Sequence, residues 1–144
     1  MSRTPLRVLS VVPPMARNTG GPAFCLVQST LAMGSEVQCS IYCTDAGLPA
    51  ASQQFVRLTP QALPRGAEKL DIHVFQTRHS YSFGYSPSLF RAIGKRIGQV
   101  DLVTINSLNL FPQLSAYIHA RRTKTPYIIR VLARDRCGQK PLPL

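Results

Sequence analysis

Acidic residues are scarce in this chain: six Asp+Glu stand against 17 Lys+Arg over 144 residues, a formal charge of +11. They form no carboxylate cluster of the kind that holds a hard metal ion. Four cysteines occur, at 25, 39, 43 and 137, with no C-x-x-C among them, which argues against a zinc site. No stretch approaches the roughly 18 apolar residues that a membrane-spanning helix needs. Leu6 to Val12 reads as a first strand and not as a secretory leader, because it is broken by Arg7 and Ser10 and ends at Pro13-Pro14 without a small-x-small cleavage site. Nor does any basic run interleaved with aromatics mark a nucleic-acid module.

What remains is one domain's length of ordinary globular sequence, 44% hydrophobic, with room for a real core. The positive charge favours anionic partners, either acidic lipid surfaces or phosphorylated ligands. The cysteines read as free thiols in a reducing, cytoplasmic setting. Cys39 and Cys43 fall on one expected strand, roughly 13 Å apart at about 3.3 Å per residue, too far to bridge.

Five short β-rich runs punctuate the chain: Leu6–Val12, Val37–Cys43, Ile72–Gln76, Leu102–Asn106 and Tyr127–Val131. Between them, apolar residues recur at helical spacing over 22–33, 87–97 and 112–122. The expected inward faces are Phe24, Val27 and Leu31, then Phe90, Ile93 and Ile97, then Phe111, Leu114 and Ile118. Prolines 22, 87 and 112 open these helices, Gly34 and Gly98 follow the first two, and Arg121-Arg122 suit the dipole of the third. A further short helix is expected around Thr59–Leu63. Strands alternating with helices imply an α/β, Rossmann-like, mostly parallel sheet with right-handed crossovers. The expected domain covers 1–134, and 135–144, with two prolines and no periodicity, reads as an irregular tail. A fifth strand followed at once by such a tail leaves an open sheet edge, and the sequence reads as cut short.

Ligands of open α/β sheets gather outside the carboxyl ends of the strands. The first strand ends in a loop bearing Gly20 and Gly21, with a helix opening after them, a place for backbone approach and for unpaired N–H groups facing an anion. Asn106 and Ser107 end the fourth run. These four residues are the candidate ligand-binding set, and no catalytic or metal-ligating residue is named. A tight turn at the glycines and simple capping at Asn106-Ser107 are the structural alternatives, and Thr19 reads as a helix cap. His73, His79 and His119 are scattered without a carboxylate nearby in sequence and read as solvated or packing residues. Arg91, Lys95 and Arg96 on the second helix, with Arg121, Arg122 and Lys124 ending the third, form solvated faces or attract an anionic membrane.

The ordered set Thr19-Gly20-Gly21-Pro22-Ala23, Met33-Gly34-Ser35-Glu36-Val37 and Cys43-Thr44-Asp45 resembles the N-terminal domain of glycosyltransferase family 4. That family typically has a Gly-Gly loop, a helix ending in Gly-His-Glu-Val and a strand ending in Thr-Thr-Asp. Further matches are Phe83–Leu89, Val100–Pro112, and Ala120-Arg121-Arg122 followed by Thr125–Arg130, so the resemblance spans residues 6–130. It departs at two places. The family's usual His at the end of the fourth strand is Thr104 here, with Asn106 two residues on. Its His-Gly turn after the fifth strand is replaced by Val131-Leu132-Ala133.

The resemblance implies half of a GT-B arrangement, the acceptor-side domain of a retaining enzyme. Such an enzyme moves a hexose from a nucleotide sugar to a saccharide or lipid-linked acceptor. It implies no cofactor and no metal; the nucleotide sugar is a substrate, held by a donor domain that a longer form of the chain or a partner chain would supply. The isolated unit is then expected to be inactive, in the cytoplasm or at the inner face of the membrane. A non-enzymatic nucleotide- or phosphate-binding module, and a basic membrane-surface module, remain open as alternatives.

Overall fold

The computed structural model describes residues 3–15, 21–46, 63–79, 83–108 and 110–131. Five strands build one all-parallel sheet: β1 (Leu6–Val11), β2 (Val37–Thr44), β3 (Asp71–Phe75), β4 (Leu102–Asn106) and β5 (Tyr127–Arg130). Their spatial order is β3-β2-β1-β4-β5. Three helices connect them: α1 (Gly21–Ala32), α2 (Pro87–Arg96) and α3 (Phe111–Thr123). The α/β, Rossmann-like fold expected from the sequence is therefore present, and element ends agree to within about one residue. The helix expected near Thr59–Leu63 lies outside the described residues apart from Leu63, as does the 135–144 tail.

The central strands β2, β1 and β4 bury side chains on both faces of the sheet, while the outer strands β3 and β5 stay largely exposed. On one face Leu9, Val11, Tyr42, Val103 and Ile105 pack against Leu89, Ile93 and Ile97 from the α2 region and Ala116 and Ala120 of α3. On the other, Ile41, Cys43 and Val12 pack against Leu26 and Val27 of α1. Ser86 caps α2 by accepting the Leu89 N–H at 3.3 Å, and its own hydroxyl donates to the Gln76 carbonyl at 2.8 Å.

Two expected helix faces need correction. Phe24 is 52% exposed, and α1 turns Ala23, Leu26, Val27 and Thr30 inward instead. The Thr30 hydroxyl is satisfied there by donating to the Leu26 carbonyl at 2.8 Å. On α3, Leu114 is 49% exposed while Pro112, Gln113, Ser115, Ala116 and Ala120 are buried. Small residues at Ala116 and Ala120 let the helix lie close on the sheet, leaving no depth for larger chains. Phe90 and Phe111 are half-buried rather than buried. Phe111 instead meets Tyr85 and Phe83, with ring centroids 4.8 and 5.9 Å apart.

Between α2 and α3 the His119 ring packs on Phe90 at 4.4 Å between centroids. Gly94 is placed mid-helix beside that ring: an added Cβ would lie 2.9 Å from His119 Cε1. Burial lowers the His119 pKa from its ordinary 6.5; a hydrogen bond with the Phe90 backbone opposes this and the charge of Arg122 adds to it. The unfolded chain therefore takes up this proton at a higher pH than the folded one. Stability is complete above the ordinary histidine value and falls as the pH drops through the lowered one. Thermal unfolding midpoints are expected to decline as the pH falls below the ordinary histidine value of about 6.5, and more steeply than in His119→Phe. Parallel pH profiles for the two proteins would remove His119 from this account.

Candidate functional site

The strand order reverses between β1 and β4. β1 runs on towards α1 on one face of the sheet, and β4 runs on into α3 on the other. Their carboxyl ends therefore mark the topological switch point, the place where open α/β sheets hold ligands.

Asn106, the last residue of β4, is fully buried at this point. Its Nδ2 donates to Ser10 Oγ at 3.0 Å and to the Val11 carbonyl at 3.3 Å, both on β1. Thr104, two residues back on the same strand, donates to the same Ser10 Oγ at 2.9 Å. From the far side, Gln113 Nε2 donates to the Asn106 carbonyl at 2.9 Å, tying the start of α3 to the end of β4. The amide is thus held in orientation, yet among the described residues Asn106 Oδ1 has no hydrogen-bond partner, nor has Gln113 Oε1. Unpaired buried acceptors are uncommon, and each costs about 1–3 kcal/mol.

Ser107 follows in the left-handed region, with φ 75°, although it is not glycine. That conformation costs about 1–3 kcal/mol and tends to persist at functional turns. Its N–H donates to the Arg130 carbonyl at 2.8 Å, extending the β4–β5 ladder while the chain turns away.

Of the four expected site residues, the fold brings Asn106 and Ser107 to this end. Gly21 starts α1, so the helix takes in this glycine instead of opening after it. Gly20 and the expected cap Thr19 lie outside the described residues. Sequence reasoning missed Ser10, which reads as a polar interruption of an apolar strand, and Gln113, which reads as a solvated residue of a helix first turn.

It also missed Asp45 as a structural acid. Asp45 lies just past the end of β2, is buried, and its Oδ1 accepts both the Thr77 N–H at 2.8 Å and the Thr77 hydroxyl at 2.7 Å. The expectation that the histidines lack a nearby carboxylate is overturned for His73, whose Nε2 lies 2.8 Å from Asp71 Oδ1. Residues i and i+2 of a strand share a face, so this pairing follows directly from the β3 geometry. Arg96 separates from Arg91 and Lys95 by reaching to Ser40 Oγ of β2 at 3.4 Å, while it also donates to the exposed Gln99 Oε1 at 3.2 Å.

Burial pushes the Cys39 thiol up to about 11 and Cys43 up to about 12, so neither serves as a thiolate nucleophile near neutral pH. Among the described residues no group of three His, Cys, Asp or Glu could hold a metal ion. No described helix is long and apolar enough to cross a membrane. No model of a known protein family matches this sequence, and no curated protein matches it.

Proposed function

We propose that this unit is the acceptor-binding half of a glycosyltransferase of GT-B type. It holds a saccharide or lipid-linked acceptor at the ends of β1 and β4 while a facing domain presents the nucleotide sugar. The observation that carries this reading is Asn106: a buried amide, fixed through Nδ2, whose Oδ1 has no donor among the described residues. An unpaired acceptor is relieved by a hydroxyl, which donates, and not by an ionised phosphate, which only accepts. This favours a polyhydroxyl ligand over the phosphate-module alternative. The +11 charge suits an acceptor carried in an anionic membrane, since nearby Lys and Arg each add about 1 kcal/mol of attraction to such a surface.

Transfer also needs groups on the departing diphosphate, because catalysis depends on stabilising charge on both sides of the reacting bond. The five-stranded unit supplies one wall of such a cleft. Incubated with a panel of nucleotide sugars and with free and lipid-linked saccharides, the chain alone is expected to bind acceptor and to transfer nothing.

Asn106→Ala is expected to weaken saccharide binding at least tenfold, read by titration of the folded variant. Ser10→Ala, which leaves Oδ1 in place, should lose stability while keeping most of the affinity. Turnover by the chain alone, or binding of nucleotide with no saccharide binding at all, would overturn the proposal.

A further inference from the structure

β5 closes one side of the sheet, and among the described residues no strand pairs with its outer side. Which of its main-chain groups face outward follows from the ladder. The Pro126 and Arg130 carbonyls accept from Val103 N and Ser107 N of the β4 side. Backbone groups alternate along a strand, so positions 126, 128 and 130 turn towards β4. Tyr127, Ile129 and Val131 therefore present their N–H and C=O groups outward.

Natural edges are usually blunted by proline, inward-pointing charge, a bulge or a covering helix. Here the outward positions belong to a run of β-formers, with Ile128 50%, Ile129 43% and Val131 68% exposed. Ile129 also borders a groove of about 390 Å³ walled by Leu108, Leu114 and Tyr117. A row of main-chain groups that no described strand pairs with therefore lies beside an apolar groove, a combination that marks an interaction site.

Charge selects the occupant. Residues 83–131 contain seven Lys+Arg and one acid, Asp101. That acid is already engaged, with the Arg7 side chain 3.0 Å from its carboxylate. Arg130 lies on the edge strand itself, and Arg121, Arg122 and Lys124 precede it at the end of α3. A second copy would bring +11 against +11, which opposes self-pairing. A lipid surface meets the charge but offers no matching row of main-chain donors and acceptors. We propose that the outer edge of β5 is a docking site for a β-strand of an acidic protein partner. The partner's main chain pairs with Tyr127, Ile129 and Val131, and its apolar residues cover Ile128 and Ile129. This is strand addition, in which the main chain gives affinity and the flanking charge gives selection. It does not rest on the glycosyltransferase reading.

The test uses the full chain and a synthetic heptapeptide with a Val/Ile core and glutamates at both ends, compared with the same core ended in lysines. The glutamate peptide is expected to bind, to weaken with salt, and to slow amide exchange at Tyr127 and Ile129. Ile129→Pro removes one outward N–H without touching the β4 ladder, so the fold should survive and binding should fall at least tenfold. Ile129→Ala, which keeps that N–H, should bind within about threefold of the parent. If Ile129→Pro does not fold, Val131→Pro removes the next outward N–H in its place. The proposal is overturned by equal binding of the lysine peptide, by unchanged binding to the proline variant, or by no binding. Self-association through this edge in sedimentation, or binding to phosphatidylserine vesicles but not to the glutamate peptide, overturns it as well.

Discussion

Leu89→Ala is expected to lower the free energy of unfolding by about 2–5 kcal/mol, a large part of the roughly 5–15 kcal/mol that domains possess. Leu89 is fully buried near the start of α2, within the cluster formed by Leu9, Val11, Tyr42 and Ile93. Its N–H is held by the Ser86 cap, so the backbone has little freedom to collapse into the space left by a truncated side chain. Phe24→Ala removes a larger side chain but is expected to cost about 0.5 kcal/mol or less, because that ring lies mostly in water. Urea titrations with unchanged slopes would measure both values. A Phe24→Ala cost equal to that of Leu89→Ala would return α1 to the face expected from its sequence.

That contrast marks where the sequence was legible. The strands were readable because runs such as Leu102–Asn106 combine β-branched and apolar residues and stop at polar turns. The helix spans were readable from proline and serine openings, most clearly Ser86-Pro87. Helix phase was harder. Large aromatics looked like core anchors, but Phe24 faces solvent and Phe111 joins Tyr85 and Phe83 at the start of α3. The inner side of α3 is made of Ala116, Ala120, Ser115 and Gln113, which no scan for large apolar residues would select.

At the candidate site, strand-end logic was enough to place Asn106 and Ser107 at the carboxyl end of β4. The hydrogen bonds that give Asn106 its character run to Ser10, 96 residues away, and local pattern holds no trace of that pairing. The left-handed turn at Ser107 was equally hidden, since serine carries none of the signal that glycine gives at such positions. The Asp71–His73 contact, by contrast, was available from strand periodicity alone once β3 was placed.

Asp45→Ala is expected to cost about 2–4 kcal/mol, through a different mechanism from that of Leu89→Ala. Asp45 Oδ1 accepts both the main-chain and the side-chain donor of Thr77, itself buried. Without the carboxylate, a buried N–H and a buried hydroxyl lose a charged acceptor together. Asp45→Asn keeps an acceptor oxygen and should cost about half as much. Thr77→Val removes only the hydroxyl bond, and the double variant Asp45→Ala/Thr77→Val should cost less than the sum of the two, because both act on one contact.

The consequence reaches the candidate site along a traceable route. Thr77 begins the connection from β3 to α2, where Arg78 N donates to the Tyr85 carbonyl at 2.8 Å. Phe111 N then donates to the Phe83 carbonyl at 2.9 Å, fixing the start of α3, and Gln113 of that first turn holds the Asn106 carbonyl. Loosening Thr77 should therefore raise amide exchange at Thr77, Arg78 and Phe111, the donors along this route, before it raises exchange in β1 or β4. Uniform acceleration across the sheet would mean that Asp45 supports the whole core and not this one route. Unchanged exchange together with unchanged stability would remove Asp45 from the account altogether.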